Sequence, residues 1–261
     1  MKILVFVKQV PDTSDAKIDP KTGNLKREGM ESLMNPLDAN AIEAALRLKE
    51  ACGGTITAVS MGPDQADDVL KKALAMGCDE SVLLSDRAFG RADTLATGYT
   101  LAMAAKKIGG YDLLIFGRNS TDGETAQTGP IVAAFLDIPQ ITLAESLDVD
   151  GDWVVATRTT EDGTEKVKAK MPALVTVCGN INEPRYATPI GIMKALKKPR
   201  AKWNCAQLGA DPAQCGLAGS PSVTKTLFEP KHEKVDTVYF TGDENEMAKQ
   251  FVDMLEAKHL I

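Results

Sequence analysis

Up to Pro139 the apolar residues alternate between two patterns. Short unbroken runs occupy Lys2–Val7, Thr55–Ser60, Ser81–Leu84 and Leu113–Phe116. They are apolar or β-branched on both faces, as strands buried in a parallel sheet are. Between them apolar residues recur every three or four positions, which predicts helices. Asn35-Pro-Leu-Asp leads into one carrying Ile42, Ala45, Leu46 and Leu48, stopped by Gly53-Gly54. Met61-Gly-Pro63 opens the next, which runs through Val69, Leu70, Ala73 and Leu74 to Gly77. Thr94–Ile108 is the third, and a run opening at Gly123 and ending at Leu136 is the fourth. Four strand–helix alternations predict βαβ units with right-handed crossovers, hence an α/β fold with a doubly wound parallel sheet.

After Pro139 the texture changes. Ile141–Val149 and Trp153–Arg158 are joined by Asp150-Gly-Asp, and Lys166–Met171 follows Glu161-Asp-Gly. Both turns carry hairpin chemistry, so an antiparallel excursion is expected at about 140–171. Pro172–Val177 then rejoins the main sheet, Asn182–Tyr186 is a loop and Pro189–Leu196 a short helix. Trp203–Pro230 has little periodicity and reads as an arm that another surface must order. Asp243–His259 is an amphipathic helix with Met247, Phe251, Met254 and Leu255 on one side. The expected division is an α/β domain over 1–200 and a C-terminal arm plus helix over 201–261. Val10–Pro36, with a small hairpin at Ile18–Leu25, is long for a plain connection, and such loops are often functional.

In a parallel sheet, ligands bind beyond the carboxyl ends of the strands. Four segments converge there: Phe6–Val10, Asn35–Asp38, Ser60–Pro63 and Gly117–Thr128. The last is a strand, a glycine turn and a helix start, the arrangement that gathers backbone N–H groups and the positive end of a helix dipole around an anion. Candidate contacts are Phe6, Lys8, Asn35, Asp38 and Met61, and on the loop Gly117, Asn119, Thr121, Asp122, Gly123, Thr125, Ala126, Gln127 and Thr128. Thr125 and Thr128 bring hydroxyls and Gln127 an amide, while Asn35 and Asp38 could reach a ribose or base edge. Asp122 and Glu124 would repel a phosphate, and the plain alternative is a βα connection in which they cap the helix and face solvent. No GxGxxG or GxxxxGK[ST] occurs on the rim.

Composition narrows the chemistry. The formal charge of −6 and the 5% aromatic content argue against nucleic acid as the main partner. No apolar stretch approaches the roughly 20 residues of a membrane span, and the first residues enter a strand directly, so no targeting peptide is expected. Five cysteines without CxxC spacing predict reduced, buried thiols in a cytoplasmic protein. Only His232 and His259 are histidines, so neither a metal site nor a catalytic general base is expected, and redox chemistry would need a bound cofactor.

VKQVPD at the N-terminus, Met34-Asn-Pro36, Ser60-Met-Gly-Pro63, Ala73–Gly77 and AQTG at Ala126–Gly129 occur in one order. With Arg158–Thr176 and Asn182-Glu-Pro-Arg-Tyr-Ala-Thr188, this order resembles the β subunits of electron transfer flavoproteins along nearly the whole chain. The resemblance implies an adenine-nucleotide α-hydrolase-like sheet, a heterodimer with an α subunit, and electron transfer through FAD between dehydrogenases and acceptors.

Within that family one branch holds AMP in the β subunit, and the electron-bifurcating branch holds a second FAD there. The second FAD takes hydride from NADH, passing one electron to ferredoxin or flavodoxin and one through the α-subunit FAD to a dehydrogenase. That activity belongs to the complex. Thr125-Ala-Gln-Thr-Gly-Pro130 and the tail Gly216–Pro230 resemble the FAD-binding branch, the first by placing small Ala126 and Pro130 where the AMP branch has bulkier residues. Tyr186–Lys194 is similar to the family's docking loop, with Tyr186, Thr188, Pro189, Ile190, Met193 and Lys194 as candidate contacts. The family anchors docking on a leucine before proline, whereas this chain has Thr188-Pro189-Ile190, so both acyl-CoA and 2-hydroxy-acid dehydrogenases are open as partners. The basic run Lys194–Arg200 reads either as part of that patch or as a solvated helix end. A universal-stress-like nucleotide module without redox function would leave Asn182–Thr188 and the C-terminal extension unexplained.

Overall fold

The computed structural model describes residues 1–12, 32–223 and 237–261, so the hairpin expected at Ile18–Leu25 and His232 lie outside the described residues. The chain forms two units, Met1–Thr226 and Leu227–Ile261. In the first, β1 (Lys2–Phe6) is followed by a two-stranded antiparallel ribbon of β2 (Gln9–Pro11) and β3 (Ser32–Met34). Then come α1 (Pro36–Cys52), β4 (Thr55–Met61), α2 (Asp67–Met76), β5 (Glu80–Leu84), α3 (Thr94–Ile108), β6 (Leu113–Gly117) and α4 (Thr128–Leu136). β7 (Gln140–Asp150), β8 (Trp153–Thr160) and β9 (Gly163–Lys170) precede β10 (Ala173–Val177), α5 (Pro189–Ala195), β11 (Arg200–Trp203) and α6 (Cys205–Leu208).

Nine strands form one sheet in the order β11-β5-β4-β1-β6-β10-β7-β8-β9. Every pairing from β11 to β7 is parallel, and β8 and β9 continue antiparallel from β7. The parallel α/β sheet and the antiparallel excursion thus form a single surface, with β10 inserted between β6 and β7. Alternation of side chains gives β1 two buried faces. Ile3 and Val5 pack under α1 and α2 with Ile42, Leu46, Leu70 and Leu74. Leu4 and Phe6 pack under α3 and α4 with Leu101, Ala105 and Val132.

The C-terminal stretch differs from expectation. Residues 201–223 do not form a free arm. β11 is the edge strand beside β5, and the Asn204–Gln207 capping box starts α6. Cys205, Leu208, Ala210 and Cys215 are buried against α3. The boundary expected at residue 200 therefore falls inside the first unit. Apart from Leu208 the buried residues here are small, and they are irregularly spaced, so they leave no period to read. In the second unit α7 (Glu244–Ala257) starts at an Asp243–Glu246 capping box, and Phe240 meets Phe251 edge-on at 5.8 Å between ring centroids.

Candidate nucleotide site and docking surface

From β1 the chain crosses through α1 to β4 on one side, and from β5 through α3 to β6 on the other. The rim beyond β1 and β6 is therefore the topological switch point where such sheets bind ligands. Its floor is set by register: Phe6 lies opposite Phe116, and the two rings stack at 4.2 Å. Phe6 is thus core beneath the rim.

The loop after β6 is fastened from below by α1. Asn35, just before α1, spends its side chain on this loop instead of capping its own helix. Its Nδ2 donates to the Asn119 carbonyl at 2.9 Å, and its Oδ1 accepts from Thr121 N at 3.2 Å. Asp38 Oδ2 accepts from Lys8 N at 2.8 Å, and the Gly117 backbone also donates to this carboxyl. Both side chains are buried. Asn35 and Asp38, expected to reach a ribose or base edge, hold the loop backbone instead. Burial pushes the Asp38 carboxyl up to about 7, against the hydrogen bonds from Asn35, Lys8 and Gly117.

Gly117 is required by this contact. A Cβ there would lie 2.5 Å from Asp38 Oδ1 and 2.8 Å from the Leu37 carbonyl carbon. Gly117→Ala is expected to destabilise the protein by about 1–3 kcal/mol in denaturant titration, as overpacking does. An unchanged midpoint would show that β6 can move off α1.

The loop itself differs from the expected helix start. Glu124 and Ala126 have φ of 49° and 54°, left-handed values that a helix does not propagate, so α4 begins only at Thr128. Asp122 does not cap it. Lys8 Nζ pairs with Asp122 at 2.7 Å and reaches Ser120 Oγ at 3.3 Å. Burial raises the Asp122 carboxyl, but the Lys8 and Ser120 contacts hold it below the ordinary value. Of the two carboxylates that would repel a phosphate, Asp122 is thereby paired, and Glu124 is exposed. The first turn of α4 has no side-chain cap and no acidic residue, and Pro130 has no N–H. The backbone N–H groups of Thr128 and Gly129 therefore carry the positive end of the helix, with the Thr125 and Thr128 hydroxyls and Gly123 beside them. Thr121–Gln127 are exposed and Met61 ends the neighbouring strand half-buried. This donor set fits a phosphate.

Sequence reasoning missed a second wall of the rim. Asp93 caps α3 through Leu95 N and Ala96 N, and its carboxylate also accepts from Ser222 N at 3.1 Å and Ser222 Oγ at 2.8 Å. Ser220 Oγ accepts from Asp93 N at 2.8 Å. Thr94, next in the chain, meets Gln127 of the loop, Oγ1 to Oε1 at 3.1 Å. The start of the C-terminal extension is thus tied to the same rim. Asp93 before Thr94-Leu95 is a readable cap signal; its partners more than a hundred positions away are not. A concavity of about 380 Å³ opens alongside, lined by Leu95, Tyr99, Phe135 and Ser220.

The segment expected to dock a partner lies elsewhere, along α1 and α2. Thr188 caps α5 by accepting from Gly191 N at 3.0 Å, and Pro189 is the first helical residue. Tyr186, Ile190 and Met193 are 95%, 64% and 68% exposed. With Ile192 and Leu196 they form an apolar surface, beside which Lys194 is also exposed. Two cations of the basic run are used internally: Arg200 pairs with Asp67, and Lys198 donates to the Leu74 and Cys78 carbonyls at the end of α2.

Among the described residues no cluster of side chains is suited to a metal, all five cysteines are free thiols, and no helix is long and apolar enough to cross a membrane. The Electron transfer flavoprotein domain family matches residues 22–208. The chain is 45% identical to the electron transfer flavoprotein subunit beta of Megasphaera elsdenii over the full length of both. It is 44% identical to the caffeyl-CoA reductase-Etf complex subunit CarD of Acetobacterium woodii, again over both full lengths. A third relative, the acryloyl-CoA reductase electron transfer subunit gamma of Anaerotignum propionicum, is 39% identical with full coverage of both chains. With the sheet, the switch-point loop and this extent of similarity together, the chain belongs to the electron transfer flavoprotein family, among its β subunits.

Proposed function

We propose that this chain pairs with an electron transfer flavoprotein α subunit and holds FAD on the Gly117–Thr128 rim, as part of an electron-bifurcating complex. The complex would take hydride from NADH and divide the electrons between ferredoxin or flavodoxin and, through the α-subunit FAD, a partner flavin dehydrogenase. The observation that carries this reading is the meeting of two features at one rim. The loop with small Ala126 and Pro130 and the tail segment Ser220–Ser222 are joined there through Thr94 and Asp93. Both features resemble the FAD-binding branch of the family. Two relatives named for acyl-CoA-level reductase complexes support a dehydrogenase or reductase of that class as partner.

The chain's own residues would bind and orient. Backbone N–H groups at the start of α4, with the Thr125 and Thr128 hydroxyls, would hold the phosphate. Lys8 keeps Asp122 from opposing it, and Asn35 and Asp38 keep the loop in place. A flavin bound here supplies the exchange between two-electron and one-electron chemistry, for which the chain has no group of its own. The apolar face of Tyr186, Ile190, Met193 and Leu196 would receive the dehydrogenase.

The test is a count of cofactors released from the heterodimer co-expressed with its α subunit. Two FAD per heterodimer are expected. One FAD with one AMP would replace this reading by the single-flavin shuttle, in which the chain holds AMP and NADH is not a substrate.

A further inference from the structure

We propose that Glu43 is the positioning residue of the docking surface: through Arg185 it fixes on α1 the start of the Tyr186–Leu196 segment, whose helix α5 packs on α2. The proposal rests on the docking role given above. Glu43 is 3% exposed on α1, between the buried Ile42 and Ala44, an uncommon place for a carboxylate. Its two oxygens are fully used by cations. Oε2 accepts from Arg185 Nε at 2.7 Å and Arg185 N at 3.2 Å, and Oε1 from Arg185 Nη2 at 3.1 Å and Arg47 Nε at 2.9 Å. The remaining prong of the guanidinium grips Glu50, two turns along the same helix. A planar fork held by two carboxylates has one orientation, which a lysine in its place could not define.

Arg185 immediately precedes Tyr186, so its orientation sets where the exposed surface begins. Three residues earlier a second tie acts in the same direction. Asn182 and Asn40 exchange hydrogen bonds, Nδ2 to carbonyl, at 2.8 and 3.0 Å. The segment between β10 and α5 has no regular structure beyond one short turn, so these side chains supply its fixed points. An ordinary surface pair contributes little, but this carboxylate is buried, and beyond Arg47 of its own helix its partner is Arg185.

In the assembled heterodimer, Glu43→Gln and Arg185→Lys are compared with Ile190→Asp, which alters the surface itself. Amide exchange over 186–196 is expected to quicken about tenfold in both clamp variants, while peptides from β1, β4 and β6 keep their protection. With an acyl-CoA dehydrogenase reduced by butyryl-CoA as donor, KM for the dehydrogenase is expected to rise about tenfold at constant kcat and constant bound nucleotide. Unchanged exchange over 186–196 overturns the proposal. So does quickened exchange with constant KM when Ile190→Asp raises KM. If the clamp variants loosen the segment but Ile190→Asp leaves transfer intact, the clamp stands and the docking reading fails. Should Glu43→Gln not fold, Arg185→Lys, which keeps its charge, decides alone.

Discussion

Thr128→Arg is expected to empty the proposed nucleotide site of this chain while the flavin of the α subunit stays in place. Thr128 is the first residue of α4 and is half-buried. The helix start cannot retreat to make room, because Gly129 is pressed on the sheet, where even a Cβ would come within 2.7 Å of Thr176. The loop cannot yield on its other side without leaving the Asn35 side chain. The added side chain must then occupy the space in front of the Thr128 and Gly129 N–H groups. Losing two charge-assisted hydrogen bonds, about 1.5–3 kcal/mol each, lowers affinity by at least about a hundredfold. Arginine could instead attract the phosphate by charge, so Thr128→Met is the control for bulk, and both variants are expected to act alike. The measurement is nucleotide and flavin released per heterodimer after gel filtration. Retention of a second nucleotide in both variants would place the site away from this loop.

Most of the parallel sheet was legible because burial on both faces leaves strong local marks. Thr94–Ile108 has the bounds expected of it, and Gly53 and Gly77 end α1 and α2 where their positions suggest. The rim was legible in outline for the same reason, since strand ends fix which loops meet. What stayed hidden was the use of polar side chains over long sequence distances. Asn35 and Asp38 look like ligand contacts in the sequence, because nothing local shows that the loop after β6 and the end of β1 consume them. Asp122 reads as a cap until Lys8 is seen beside it. The start of α4 was placed too early because Glu124 and Ala126 carry no mark of their left-handed backbone; glycine would have shown it. Trp203–Pro230 reads as an arm because Cys205, Ala210 and Cys215, although buried, are small and unevenly spaced. The Asn204-x-x-Gln207 capping pair was the available signal there.

Asp38 should give the protein an unusual pH response. Burial raises its carboxyl from 3.8 to about 7 in the folded state, whereas in the unfolded chain it titrates near 3.8. Between these values the folded state binds the extra proton, so this group's contribution is fully present below about pH 4 and is lost as pH rises through 7. The slope approaches about 1.4 kcal/mol per pH unit within that window. Carboxylates held below their ordinary value, such as Asp93 and Asp122, act in the opposite sense and at lower pH, so the interval from pH 5 to 7 isolates Asp38. Asp38→Asn removes the slope. It also turns an amide N–H toward either the Lys8 or the Gly117 backbone donor, leaving one buried N–H unpaired at about 1–3 kcal/mol. Wild type is therefore expected to be the more stable protein at pH 5, with its advantage shrinking through pH 7 and levelling off by pH 8. Denaturant titrations of the two proteins at pH 5, 6, 7 and 8 measure this difference, and parallel curves would show that the Asp38 carboxyl is ionised throughout. Because the same carboxyl holds Lys8 and Gly117, the placement of the loop after β6 and the pH response are two consequences of burying one acid beneath the rim.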